Sequence, residues 1–213
     1  MKIAIFGASG FTGSAILNEA VRRRHNLSVL VRDAARFPEP TSWLQVVSGD
    51  ALDREAVART IQGCDAVIQC LGVGGKGNGK PTTLISEATR IIVEEMQRQG
   101  IKRLVALSNV GAGDSLTFQP WIFRRVILPY FMKWLKVIID DKNRMEPVIM
   151  ESGLDWTIIR CPNVVDKPSQ DSYNATLDGK QLKLSITLGD MAACVVDCLE
   201  EGLFMRLAPC ISK

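Results

Sequence analysis

Apolar residues come in short uninterrupted runs along this chain: KIAIF, LSVLV, LQVV, DAVIQCL, RLVALS and DWTIIR. Runs of this length, rich in Val, Ile and Leu and apolar at both alternating positions, predict strands buried on both faces, the condition of a parallel sheet. Between them the apolar positions take helical spacing over 12–24, 53–61, 83–99, 141–152 and 189–201, the last opening at Asp190 as its N-cap. Strand alternating with helix predicts an α/β fold, a doubly wound parallel sheet with helices on both faces and its ligand at the carboxyl ends of the strands. No stretch dense in Pro, Gly and Ser divides the 213 residues, so a single domain over 1–213 is expected.

One stretch breaks the alternation. QPWIFRRVILPYFMKWLKVII, 119–139, is apolar, aromatic and basic at once, and Pro129 would kink any helix through it. Arg124, Arg125, Lys133 and Lys136 argue against a membrane span. The stretch at about 117–139 is read as an apolar segment covering the sheet and walling a pocket, with an amphipathic surface helix or a dimer face as the alternative. The net charge of +3 is small, and its tightest basic run, Arg22 to Arg24, suits the end of a helix, so no nucleic-acid partner is expected. Six cysteines without a Cys-x-x-Cys pair and a single histidine, His25, predict no metal site, and Cys194 and Cys198 read as reduced core residues. The first apolar run stops at Gly7, too soon for a signal peptide, which makes a cytoplasmic protein the default expectation.

The first strand runs into IAIFGASGFTGSAIL. Gly7, Gly10 and Gly13 there permit a tight turn, close backbone approach to a pyrophosphate and close packing of helix on sheet; Ser9, Phe11 and Thr12 complete the turn at the helix N-terminus. These six residues are the expected phosphate grip of a dinucleotide. Arg32 ends the second strand where an acidic residue would hold an adenosine ribose, and its guanidinium, with Arg36 opposite, suits a 2′-phosphate. That favours NADP(H) over NAD(H), although Asp33, one place later, offers a ribose ligand if the strand extends by a residue. Asp50 and Ala51 close the third strand beside the adenine, and Leu71 and Gly72 close the fourth beside the cofactor. The glycine-rich loop over 72–83 reads as a lid or as a plain connection.

GASGFTG, VLVRD, GD, CLG, VALSNVGAGDS, DDKNRME and ESGLDWTIIRCPNVV follow one another in an order that resembles the atypical short-chain dehydrogenase/reductases, the NmrA-like group that includes flavin and biliverdin reductases. The resemblance runs from residue 1 to about residue 200 and implies a Rossmann-like domain. It assigns Lys142 to the nicotinamide ribose, with Glu146 one turn on as its support, and places Pro162, Asn163 and Val164 along the nicotinamide. Ile138 stands where the family's proton-donating tyrosine would be, and neither Tyr130 nor Tyr173 has the required spacing to Lys142. Asn109 stands near the position of the catalytic serine, with Ser108 one place earlier. Ser108, Asn109 and Lys142 are therefore the catalytic candidates, the asparagine amide still able to donate to a carbonyl or flavin oxygen.

Two functions fit. One is an NADPH-dependent reductase that delivers hydride to a flat conjugated acceptor, a flavin, a linear tetrapyrrole or a quinone, in a pocket built with Phe118 and Trp121. The other is a non-catalytic NAD(P)-binding sensor, regulator or assembly factor. Both predict a small molecule as the principal ligand and a monomer or weak homodimer.

Overall fold

The computed structural model describes residues 1–37, 39–74 and 79–213, with the Arg36 side chain also outside the description. In chain order it contains β1 (Lys2–Phe6), α1 (Phe11–Arg22), β2 (Asn26–Val31), β3 (Leu44–Ser48), α2 (Arg54–Ile61), β4 (Ala66–Gln69), α3 (Leu84–Gln99) and β5 (Arg103–Asn109). There follow α4 (Lys133–Met150), β6 (Asp155–Cys161), β7 (Asn163–Val165), β8 (Asn174–Thr176), β9 (Ser185–Thr187), α5 (Leu188–Glu200) and β10 (Cys210–Ser212). Eight strands form one sheet in the order β3-β2-β1-β4-β5-β6-β10-β8, parallel except for the edge pair β10 and β8. This is the doubly wound sheet that the apolar runs predict.

Both faces are covered because both alternating positions of the central strands are apolar. Ile3 and Ile5 of β1 pack with Ile16, Leu17 and Ala20 of α1 and with α5, whereas Ala4 and Phe6 turn to the side of α2, α3 and the Met145 and Ile149 end of α4. The chain leaves β1 towards β2 and β3 on one side and returns through α2 to β4 on the other. Loops after β1 and β4 therefore diverge, and a crevice opens between them at the carboxyl ends.

Three features differ from the pattern in the sequence. The fourth helix begins at Lys133 rather than residue 141, since its first turns lie within a nearly continuous apolar stretch that hides the helical period. Asp190 is not the N-cap of α5: β9 runs straight into the helix and Thr187 caps it, its hydroxyl oxygen accepting the Asp190 N–H at 3.0 Å. The Asp190 carboxylate instead accepts from Ser169 Oγ at 2.7 Å and Gln170 N at 2.8 Å, tying an incoming loop to the helix. Finally, β7 to β10 span only three residues each, too few for an alternation to register.

Candidate functional site

The crevice is a cleft of about 500 Å³ floored by the ends of β1, β2, β4, β5 and β6. Its phosphate end is made by Gly7, Ser9, Gly10, Phe11 and Thr12. Gly7 has φ +96°, and a Cβ there would lie 2.7 Å from the Cys70 carbonyl oxygen, so the turn admits no other residue without moving β4. Gly13 does not line the cleft; a Cβ on it would clash with the Gly7 carbonyl oxygen, which makes it the residue that lets α1 approach the turn. The α1 N-terminus has no side-chain cap and no acidic residue in its first turn, so its amide groups and dipole are left to an anion in the cleft. These residues fit a pyrophosphate.

Beyond the turn, Arg32 is exposed on the cleft wall, while Asp33 Oδ1 accepts the Ala35 N–H at 3.2 Å and caps a short 3-10 turn, Ala34–Arg36. Arg36 belongs to that turn, and its side chain lies outside the described residues. Asp50 and Ala51 line the cleft after β3, Asp50 Oδ1 also accepting the Leu52 N–H at 2.8 Å, and Leu71 and Gly72 line it after β4. Of the glycine-rich loop over 72–83, residues 75–78 lie outside the described residues.

The reacting end is formed by β5, β6 and α4. In-register pairing of β5 with β6 places Ser108 opposite Arg160 and Asn109 opposite Cys161. Ile138 and Lys142, one helical turn apart on α4, both face this end, so the place of a phenol is taken by an aliphatic side chain. The buried Lys142 donates from Nζ to the Leu107 carbonyl at 2.7 Å and to the Leu71 carbonyl at 3.3 Å. Two fixed carbonyls thus aim the ammonium at the cleft. Desolvation lowers its pKa to about 8, outweighing the upward pull of Cys70, Asp141, Cys161 and Glu146.

That shift has a sign that can be measured. The folded chain releases the Lys142 proton near pH 8 while an unfolded lysine holds it to about 10.4, so stability contributed at this site rises with pH between the two values. Lys142→Met is expected to be more stable than wild type by roughly 1 to 3 kcal/mol near neutrality, an advantage that narrows as pH rises through that window. Urea unfolding at neutral and alkaline pH measures it, and NADPH titration should show the cost in affinity.

Glu146 acts on Lys142 through its charge and makes no hydrogen bond to it. Its carboxylate accepts from Ser108 Oγ at 2.7 Å and from Arg160 at 3.1 Å (Nε) and 2.7 Å (Nη2), and Arg160 also reaches Asp114 at 2.6 Å. The Ser108 proton is therefore directed at Glu146, whereas no described protein group bonds the Asn109 amide, which lines the cleft. Arg160 was legible as a lone charge ending the apolar run DWTIIR; its partners were not, because Asp114 and Glu146 are remote in sequence.

Other candidates are not among the residues that line the cleft. Phe118 ends a 3-10 spiral, Gly113–Phe118, and its ring packs against Gly179; Trp121 is 64% exposed. Pro162, Asn163 and Val164 follow Cys161, the last residue of β6 on the cleft wall, and Asn163 and Val164 pair with β9. Tyr130 points to solvent, and Tyr173 donates to Asp197 Oδ2 at 2.9 Å beside α5, so among the described residues no phenol reaches the cleft. Cys70, Leu107 and Cys161 line it without having been anticipated, and burial pushes both thiols up to about 12.

Residues 7–202 match a family model described as NAD(P)H-binding. The chain belongs to that family. Its relatives include a 3-diazoavenalumate denitrifying reductase from Streptomyces sp., 34% identical over 117 residues, 51% of this chain and 38% of that protein, so the chain spans well under half of that relative. Among solved structures, ChuY from Escherichia coli O157:H7, an anaerobillin reductase, superposes with TM-score 0.79 at 19% identity, covering 100% of this chain and 97% of its own. A short-chain dehydrogenase/reductase from Veillonella parvula in complex with NADP superposes with TM-score 0.79 at 16% identity, covering 100% and 94%. The NAD(P)H-binding chain thus shares its fold with these solved structures.

Proposed function

We propose that this protein is an NADPH-dependent reductase that passes hydride to a flat, conjugated acceptor and needs no phenolic acid to do so. The observation that carries the reading is the aliphatic Ile138 on the cleft wall one turn before Lys142. The nicotinamide, when bound, supplies the hydride. The chain supplies geometry: the Gly7–Thr12 turn receives the phosphates, Lys142 reaches the ribose, and the Asn109 amide donates to an acceptor oxygen. Conjugated acceptors suit such a site because negative charge from the hydride is spread over the ring system and solvent can protonate it afterwards. An isolated ketone would build an alkoxide beside Ile138 with no phenol in reach, and the Lys142 ammonium there is engaged by the Leu71 and Leu107 carbonyls. The reductase names among the relatives support this reading.

Steady-state assays with a small quinone and with cyclohexanone test it. Quinone reduction should exceed ketone reduction by at least about a hundredfold, and Asn109→Ala should lower quinone kcat by roughly tenfold or more. Equal turnover of both acceptors would mean that an acid other than a phenol, the Lys142 ammonium first, serves the ketone. NADPH preference is supported by Arg32 on the cleft wall and by Asp33 being engaged in its own turn. Arg32→Ala is expected to cut the ratio of NADPH to NADH affinity by about tenfold or more, read by fluorescence titration with each nucleotide.

A further inference from the structure

The segment from Trp121 to α4 lines little of the cleft and fills little of the core. Of Phe123–Phe131 only Leu128 is buried, while Trp121, Tyr130 and Phe131 stand 64%, 70% and 77% exposed, joined by Ile122 and Val126. The turns here are widened, with the Met132 N–H donating to the Ile127 carbonyl five residues back at 3.0 Å. In such turns Ile122, Val126 and Tyr130, four residues apart, fall on one side. A cluster of large apolar groups on one face is unusual on a surface that meets only water.

Its charges have one sign. Residues 119–139 contain Arg124, Arg125, Lys133 and Lys136 and no acid, and the first acidic residue beyond, Asp140, pairs with Lys136 at 2.7 Å. Arg125 and Lys133 are exposed. The N-terminus of α4, which should favour acids, has no side-chain cap, no acidic residue in its first turn, and lysines at 133 and 136. Local helix energetics disfavour that arrangement, but amide groups and ammonium groups together suit phosphate anions.

We propose that this face seats the protein peripherally on an anionic lipid bilayer, the aromatic tips of Tyr130 and Phe131 entering the interface while Arg125, Lys133 and the α4 N-terminus meet headgroup phosphates. Aromatic and basic side chains on one amphipathic segment are what interfacial binding requires. No helix among the described residues is long and apolar enough to cross a membrane, so the contact is with the surface. A second copy is the poorer occupant, since a symmetric contact would set the same cations against one another. Docking would also bring the cleft close to lipid, because Ile138 is on the same helix as Lys133, within about 8 Å along the axis. The proposal concerns the outer surface and stands whether or not the cleft turns over.

Vesicle co-sedimentation of the full chain decides it, with vesicles of phosphatidylcholine alone and of phosphatidylcholine containing phosphatidylserine. Binding should be at least about tenfold tighter to the anionic vesicles and should weaken at high salt. Tyr130→Ser with Phe131→Ser, and separately Arg125→Glu with Lys133→Glu, should each reduce it by about tenfold or more. NADPH titration of both variants verifies that they are folded. Absence of binding to either vesicle would overturn the proposal, as would binding untouched by both pairs of substitutions. A concentration-dependent dimer, abolished by the serine pair and unaccompanied by vesicle binding, would also overturn it and assign the face to a second copy.

Discussion

Gly10→Asp is expected to abolish NADPH binding while leaving the protein folded. Gly10 is the N-cap of α1 with an extended backbone, φ −83° and ψ 169°, which aspartate adopts readily. The added Cβ would lie 3.2 Å from the Gly7 carbonyl oxygen, close enough to require a small adjustment and no more. Aspartate is a preferred cap, and by binding the first-turn amides it should return only about a few tenths of a kcal/mol over glycine to the helix. Those amides are the ones offered to the pyrophosphate, and the new carboxylate would stand among the phosphate charges. Two like charges about 4 Å apart repel by about 4 kcal/mol at a dielectric typical of a protein surface, so affinity should fall by a factor of about a hundred or more. Fluorescence titration and thermal unfolding on the same sample separate the two effects; unchanged affinity would remove the phosphates from this turn.

Glu146→Ala should have the largest effect on stability. The buried carboxylate holds the buried Arg160 through two contacts and takes the Ser108 hydroxyl, and its removal leaves a guanidinium whose remaining acidic partner, Asp114, is largely exposed. Breaking one side of such a pair costs about 3–5 kcal/mol, mostly the penalty of an uncompensated buried charge. Removing both charges together, Glu146→Leu with Arg160→Met, should recover much of that loss, because the pair's own attraction is offset by its desolvation. Urea unfolding of Glu146→Leu, Arg160→Met and the double variant measures the coupling. A loss below about 1 kcal/mol in Glu146→Ala would show that Arg160 can relax to solvent or onto Asp114 alone.

The legible parts of this protein are those where one local segment carries a whole physical requirement. KIAIF followed by three spaced glycines announces a strand, a tight turn and a helix N-terminus, and the structure places Gly7 and Gly10 on the cleft and Gly13 behind it. Lys142, singled out through the family resemblance, lines the cleft one helical turn after Ile138. Glu146 was read as its neighbour on the same helix, but residues on one helix face choose partners from whatever strand lies opposite. Here that strand is β6, and it presents Arg160. The aromatic segment leaves two readings open for a different reason: apolarity in sequence does not say whether an apolar face meets the sheet or stays outside, and Tyr130 and Phe131 stay outside.

Hydride transfer in a cleft without a phenol is the core of the proposed function. It is tested most directly by mixing the purified protein with NADPH and following nicotinamide absorbance with FMN, biliverdin or a small quinone as acceptor. Oxidation is expected with at least one of them, at a rate that Asn109→Ala lowers. Tight NADPH binding with no oxidation by any of the three would contradict it and leave a protein that senses the nucleotide without spending it.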